Sequence, residues 1–208
     1  MKKRTIVVLA LLVCILLIPM AGSLAFFTQA ETAHNVITSG NVDIAIHEYS
    51  RNEAGEKIPF TDPEGVMPGE KIHKIIEIEN TGSGPAWVRV RFKPEFKLDP
   101  DRVPEGFVPD EDLAIPHFNE EEGLWSFRPE ADDPFVYYLK PLAPGETTEA
   151  VIETVEFDTE MGNEYQNSRF ILDVEAEAVQ VKNNGSSAFD AVGWPASGKP
   201  LPTTAPLT

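Results

Sequence analysis

The chain has four histidines, the residue type best suited to metal binding and to proton transfer near neutral pH: His34, His47, His73 and His117. None belongs to a His-Glu-x-x-His pattern, which would place two zinc ligands and a glutamate base on one helix. His117 precedes three glutamates at 120–122 in a proline-punctuated stretch, which is typical of a loop. Because zinc needs several ligands in a narrow geometry, we expect His117 to be an exposed loop residue and predict no metal site and no cofactor.

Carboxylates and nucleophiles give no second candidate site. Acidic residues cluster at 99–101 and 110–112, but they lack the spaced loop and the glycine of a calcium-binding loop, so solvated charge is expected. No Gly-x-Ser-x-Gly elbow is present to expose a nucleophilic serine. The one cysteine, Cys14, lies in the apolar amino-terminal segment. The sequence therefore predicts no catalytic residue and favours a protein that is not an enzyme.

The amino terminus has the parts of a cleavable secretory signal peptide. Basic residues at 2–4 precede an apolar run at 6–18, and Ser23 and Ala25 occupy the minus-three and minus-one positions of a small-residue exit. We therefore predict cleavage between Ala25 and Phe26 and a secreted product, in the extracellular matrix or at the cell surface.

The alternative for this segment is a membrane anchor that is never removed. Nearly every residue from 6 to 27 is apolar, and a spanning helix needs about 20 such residues. Pro19 and Gly22 weaken a continuous helix where a signal peptide loosens for its peptidase. That interruption favours cleavage over anchoring.

Removal of residues 1–25 would leave 183 residues without a cysteine, so no disulfide is expected. A chain of about 180 residues can bury enough apolar surface to fold without one, as a single domain. The same cut leaves 14 basic residues against 34 acidic ones. Nucleic acid and anionic lipid both require the opposite charge, so neither is an expected partner.

Short apolar runs separated by turns predict an all-β fold. Proline and glycine make up 32 of 208 residues and punctuate these runs. Alternation is clearest at 86–92 and 169–181, where every second residue from 86 to 92 and from 170 to 178 is apolar. In residues 71–80, Ile72, Ile76 and Ile78 alternate with charged or polar neighbours over the second half. We predict that this run pairs with 86–92 as a hairpin across the turn at 81–85.

Two Pro-Gly-Glu turns, at 68–70 and 144–146, each precede a strand, as equivalent edges of a sandwich would. About seven strands are expected, a number typical of Greek-key sandwiches. The predicted fold is a single jelly-roll or immunoglobulin-like antiparallel β-sandwich with a long loop insertion at 93–122, where five prolines and many acids break the pattern.

These patterns divide the chain into a signal peptide at 1–25, an amino-terminal segment at 26–40, the sandwich at 41–182 and a Pro/Gly/Ser-rich tail at 183–208. The tail has no core of its own. Its aromatic residues Phe189 and Trp194 dock either on the sandwich or on a neighbouring molecule, and the sequence leaves both open.

The chain contains eight short motifs, in this order: Phe26-Phe27-Thr28, Asn35-Val36-Ile37-Thr38-Ser39-Gly40-Asn41-Val42-Asp43-Ile44, Met67-Pro68-Gly69-Glu70, Glu79-Asn80-Thr81-Gly82, Ala86-Trp87-Val88-Arg89-Val90, Tyr137-Tyr138, Leu142-Ala143-Pro144-Gly145-Glu146-Thr147-Thr148 and Ala176-Glu177-Ala178-Val179-Gln180. Their order and spacing resemble the TasA/camelysin family. The resemblance implies a jelly-roll-like sandwich, secreted by Gram-positive bacteria and released by a dedicated SipW-type signal peptidase. Neither the insertion at 93–122 nor the tail matches a motif of the family.

The best understood members of that family build extracellular matrix fibres of biofilms, in which the freed amino-terminal segment of one subunit completes a sheet of the next. For this chain the resemblance implies a donor strand at about 26–38, with Phe26, Phe27, Val36 and Ile37 as apolar contacts. Such strand addition is β-augmentation, and head-to-tail contacts that do not close propagate into filaments. The implied partners are further copies of the chain, the signal peptidase and a sister matrix protein.

Two other functions stay open beside the fibre subunit. The name camelysin implies a cell-surface metalloprotease, which would use His117 and nearby acids, although no zinc motif supports it. A monomeric secreted adhesive or binding module would use the insertion at 93–122 for recognition. The fibre subunit is the leading hypothesis, because a solitary domain would gain little from exposing Phe26 and Phe27 directly after the cleavage site.

Overall fold

Strands form where apolar residues alternate in this sequence, and they build two packed sheets. The computed structural model describes residues 30–31, 34–38, 42–63, 66–119, 123–128 and 133–194. Within these residues no helix is long and apolar enough to span a membrane. The predicted all-β sandwich is confirmed, whereas the predicted cleavage site between Ala25 and Phe26, and the neighbouring Phe27, lie outside the described residues.

The first sheet contains β1 (Ala30–Glu31), β2 (His34–Thr38), β6 (Ala86–Lys97), β8 (Trp125–Phe127), β9 (Val136–Tyr138) and β11 (Arg169–Gln180). Their order is β1-β11-β6-β9-β8, and β2 also pairs with β11. β1 and β2 run parallel to β11, and the other pairs are antiparallel.

The second sheet contains β3 (Ile44–Arg51), β4 (Lys57–Pro59), β5 (Lys71–Asn80), β7 (Ala114–Phe118) and β10 (Ile152–Phe157). Their order is β4-β3-β5-β10-β7, and every pair is antiparallel. In the described part of the chain, two short 3-10 helices, Glu111–Leu113 and Asn163–Tyr165, lie in the connections.

The main core lies between the sheets and follows the predicted alternation. On β11 the buried inward positions are Phe170, Leu172, Val174, Ala176 and Ala178. On β6 they begin with Ala86, Val88 and Val90. The period-two pattern therefore identified the buried face of both long strands.

The predicted hairpin between residues 71–80 and 86–92 is wrong, because β5 and β6 belong to different sheets. Asn80 helps to hold the crossing between them: its side-chain amide donates to the carbonyl oxygens of Gly84 and Leu142, at 2.9 and 2.8 Å. A local alternation pattern does not specify which strand lies alongside, so it could not exclude a hairpin.

Eleven strands occur in the described residues instead of about seven, and parts of the predicted insertion at 93–122 are strand. β6 continues into it, and β7 lies within it as an edge of the second sheet. Proline lacks the N–H that pairs with a neighbouring strand, so it is tolerated where one side of a strand is unpaired. Pro94 meets this condition among the described residues, because β11 pairs with β6 there whereas β9 pairs only with Arg89 and Val90. The loop is thereby reduced to residues 98–113, which include one 3-10 helix.

The two Pro-Gly-Glu turns have the same conformation, as predicted. Gly69 and Gly145 adopt left-handed φ angles of 78° and 76°. In each turn the glutamate side chain accepts a hydrogen bond from the backbone N–H three residues earlier, at 2.9 and 3.0 Å. The first turn exchanges two backbone hydrogen bonds with Phe157 at the end of β10, and the second does the same with Asn80 at the end of β5.

Candidate assembly edge

The strand β2 lies parallel to β11 at one edge of the first sheet. Its five residues pair with residues 174–178, which places Val36 opposite Ala176 and Ile37 opposite Glu177. Val36 is half-buried and packs against the main core. The structure therefore places Val36, and the backbone of Ile37, on the domain's own sheet.

The edge that β2 covers is long. β11 has 12 residues, and β6 pairs with it along its whole length on one side. On the other side, within the described residues, only β1 and β2 pair with it. Without them β11 would present unpaired N–H and C=O groups, which form a template for an added strand.

β1 and β2 form an arm, which we define as residues 30–38. The arm pairs in the first sheet, whereas the next strand of the chain, β3, belongs to the second. Val42 and Ile44 are buried and fix the point at which the chain enters the core. Moving the arm away from β11 would therefore leave the pairing of β3 in the second sheet intact.

Ion pairs with two buried glutamates form a ladder on the outer face of β6 and β11, next to this edge. Arg89 Nε donates to Glu177 Oε2 at 2.6 Å, and Arg91 Nε donates to Glu175 Oε2 at 2.8 Å. Lys93 Nζ donates to the same oxygen of Glu175 at 2.9 Å. Each arginine is directly opposite its glutamate in the register. Opposite charges at directly opposite positions of two strands stabilise a sheet, so the ladder strengthens the pairing of β6 with β11.

The carboxyl-terminal segment covers part of the ladder. The Arg89 guanidinium lies 3.9 Å from the ring centre of Phe135 and 4.7 Å from that of Trp194, distances typical of cation–π contacts. Phe189 and Trp194 both pack edge-on against Tyr137. Of the two docking modes that the sequence left open, the structure shows docking on the sandwich itself.

Burial and ion pairing have opposite effects on the pKa of each carboxylate in the ladder, and the net direction differs between Glu177 and Glu175. Burial raises the pKa of Glu177, and the hydrogen bond from Arg89 opposes it only in part. Burial also acts to raise the pKa of Glu175, but the hydrogen bonds from Lys93 and Arg91 outweigh it and the pKa is lowered. The charge on Glu175 therefore stabilises the fold, whereas that on Glu177 depends on Arg89 to offset its desolvation.

His117 is exposed, but it lies on the edge strand β7 instead of the predicted loop. Pro116 is tolerated there because an edge strand can omit a ladder hydrogen bond. His117 Nε2 lies 2.8 Å from Glu156 Oε2, and Lys71 Nζ lies 3.0 Å from the same oxygen. Hydrogen bonds from Lys71 and His117 lower the pKa of Glu156. No group of three potential metal ligands occurs in the described residues, which exclude 120–122.

Side chains from both acidic clusters stabilise turns. Asp99 Oδ1 accepts a hydrogen bond from the backbone N–H of Asp101 at 3.1 Å. Asp110 Oδ1 accepts one from the backbone N–H of Asp112, also at 3.1 Å, and caps a 3-10 helix. These interactions satisfy backbone donors of the loop that follows β6.

Sequence reasoning did not find the ladder or Lys74, the one buried lysine among the described residues. Arg89 and Arg91 alternate with the apolar residues of β6, which places them on the face opposite to the core, and Glu175 and Glu177 alternate in the same way on β11. Only the pairing of β6 with β11, which joins distant parts of the chain, brings them together. Lys74 carried a local signal, because it occupies a position that the alternation assigns to the buried face.

The chain matches no protein-family model, no curated protein and no solved structure. The resemblance to the TasA/camelysin family therefore stays a prediction from the sequence motifs.

Proposed function

We propose that the chain is a secreted structural subunit of extracellular fibres, in which the amino-terminal segment of one copy adds to β11 of the next. The pairing of β2 along the edge of β11 carries this proposal. A strand that pairs through its backbone along a sheet edge of its own domain can make the same hydrogen bonds in another copy. Polymerisation then needs no interface beyond the one already present.

Such an exchange builds a filament when each copy gives its arm to a different copy from the one whose arm it receives. Each copy gives its arm at one place and receives an arm along β11, so the two contacts are different surfaces. Head-to-tail contacts of this kind propagate unless the rotation between subunits closes a ring. Val36 is the described apolar contact of the arm, and Phe26, Phe27 and Ile37 are the further contacts proposed for the exchanged segment.

Export and processing complete the proposal. Cleavage after Ala25 by a SipW-type signal peptidase would free Phe26 as the new amino terminus, and the arm could then leave its own sheet. The fibre would form outside the cell, from copies of this chain with or without a sister matrix protein.

A disulfide that locks the arm onto its own β11 tests the exchange. The chain from Phe26 onward has no cysteine, so Val36→Cys with Ala176→Cys introduces two thiols at positions that are opposite in register. Cα atoms of paired strands are close enough for a disulfide. The oxidised protein, starting at Phe26, should stay monomeric by light scattering and show no filaments by electron microscopy. Reduction should restore filaments.

The matched control is Val36→Cys alone, which should form filaments under both conditions. Protein starting at Asn41 lacks the arm and should form none. If the double variant fails to recover on reduction, Thr38→Cys with Ala178→Cys, two positions further along the register, repeats the test. Filaments from a fully oxidised double variant, or none from the unaltered chain starting at Phe26, would refute the proposal.

A further inference from the structure

Lys74 is a lysine inside the sandwich. It lies between Ile72 and Ile76 in the alternation of β5, and both isoleucines belong to the main core. Its side chain is 0% exposed. Lysine is almost never fully buried unless its charge is paired, so the groups around its Nζ decide what it does.

A carboxylate and an aromatic ring enclose that nitrogen. Lys74 Nζ lies 3.2 Å from Glu48 Oε1 and 3.5 Å from the ring centre of Phe60. Glu48 lies on β3, directly opposite Ile76 of β5. Lys74, two residues before Ile76 on β5, is therefore the diagonal neighbour of Glu48 in the sheet. The backbone N–H of Phe60 donates to the carbonyl oxygen of Glu48 at 3.2 Å, which fixes this residue beside the pair. Asp62 supplies a second negative charge nearby.

An ammonium group is poorly accommodated at this site. Lys74 Nζ makes no aligned hydrogen bond within the described residues, since its contact with Glu48 meets the distance but not the direction of one. Burial lowers the pKa of Lys74, and the charge and side-chain contact of Glu48, together with the charge of Asp62, oppose this only in part. The neutral amine, which is the nucleophilic form, is therefore easier to reach than on an exposed lysine.

We propose that Lys74 and Glu48 condense to an isopeptide bond that joins β5 to β3. The lone pair of the neutral Nζ attacks Cδ of the protonated Glu48 carboxyl group and forms the C–N bond. The C–OH bond breaks, the nitrogen gives up one proton to the departing hydroxyl group, and water leaves. One amine and one carboxylic acid become one amide and one water, with no oxidant or other co-reactant.

The fold supplies what this reaction lacks in free solution. Holding the two groups in contact replaces a bimolecular encounter, an effect that reaches effective concentrations of about 10⁵ M or more in well-oriented systems. Condensation also replaces two buried ionisable groups with one neutral amide, which removes their desolvation cost. The bond would join neighbouring strands covalently in a chain that, after removal of its predicted signal peptide, has no cysteine for a disulfide.

Intact-mass spectrometry of the denatured protein tests the bond directly. The unaltered chain should be lighter than its sequence mass by one water, and digestion should yield a branched peptide that joins the segments containing Glu48 and Lys74. Lys74→Arg, which keeps the charge, and Glu48→Ala should each have the full sequence mass. Lys57→Arg is the matched control, because Lys57 pairs with Glu77 at the surface; it should retain the deficit.

Full sequence mass in the unaltered, folded chain would overturn the proposal. A deficit that persists in Glu48→Ala but disappears in Asp62→Ala would overturn the assignment of Glu48 as the acceptor. Because the mass is read after denaturation, a tight but non-covalent ion pair gives no deficit and also counts against the bond. None of these readings depends on filament formation, so the inference is tested separately from the proposed function.

Discussion

Replacement of Arg89 by alanine should be among the most destabilising single changes in the first sheet. Glu177 is fully buried, and Arg89 Nε donates to it at 2.6 Å. Removing the arginine leaves a carboxylate in the protein interior without its counter-charge, and breaking a buried pair in this way costs about 3–5 kcal/mol. Arg89 also contacts the rings of Phe135 and Trp194, and losing cation–π contacts adds about 0.5–2 kcal/mol. We expect Arg89→Ala to lower the free energy of unfolding by about 4 kcal/mol or more.

The cost should come from the orphaned charge and not from the lost side chain. A double variant, Arg89→Met with Glu177→Leu, removes both charges and keeps apolar volume, and such replacements are often neutral or stabilising. Urea denaturation, followed by tryptophan fluorescence, gives the free energy of unfolding of each variant. We expect the double variant to lie within about 2 kcal/mol of the unaltered protein, so that the cycle yields a large coupling energy.

The exposed pair between Lys57 and Glu77 provides the comparison. Its Nζ–Oε2 distance is 2.8 Å, but the lysine side chain is 42% exposed, so Lys57→Ala should cost at most about 1 kcal/mol. A cost of this size for Arg89→Ala, or a double variant as unstable as the single one, would refute the view that Glu177 needs its partner because it is buried.

Two further predictions concern a carboxylate and a turn. The pKa of Glu175 is lowered in the fold, so the stabilisation by its charge is present above the unfolded pKa of about 4.3 and is lost as the pH falls through the folded pKa. In Glu175→Gln, the free energy of unfolding measured in urea should therefore fall less steeply between about pH 5 and pH 3 than in the unaltered protein. An unchanged pH profile would contradict this. Gly69→Ala and Gly145→Ala both place a side chain at positive φ, which costs about 1–2 kcal/mol, but only at Gly69 would the new Cβ approach another atom, Thr159 Cγ2 at 3.0 Å. Gly69→Ala should therefore lower the melting temperature more, and equal losses by differential scanning calorimetry would count against the turn geometry.

The sequence predicted what depends on neighbouring residues. Alternation identified the buried faces of β6 and β11, and the shared Pro-Gly-Glu pattern identified two equivalent turns, because both signals arise within a few residues. It failed for β5 and β6, since proximity along the chain suggested a hairpin while the partners of β6 are β9 and β11. Strand pairing between distant segments is set by the packing of the whole sandwich, which no local period encodes.

The difference between local patterns and pairing of distant segments also explains which parts of the candidate sites could be predicted. Val36 belongs to the segment that the resemblance singled out, and the structure pairs residues 34–38 of that segment with β11. The ion-pair ladder required knowledge that residues 89–93 lie beside 173–177, which the sequence does not state. Lys74 is different, because a lysine between Ile72 and Ile76 on an alternating strand is visible in the sequence as a charge on the buried face.

The arm and the ladder together bear on whether β11 could accept a strand from another copy. An acceptor edge has to stay ordered after its own strand leaves, because an edge that unfolds would have to be ordered again on binding. β11 is paired with β6 over all 12 of its residues, and cross-strand ion pairs at Glu175 and Glu177 add to that pairing. By contrast, β2 contributes five residues. The interactions that hold β11 thus lie mostly on the side away from the arm, so the proposed exchange would leave the acceptor edge largely preformed.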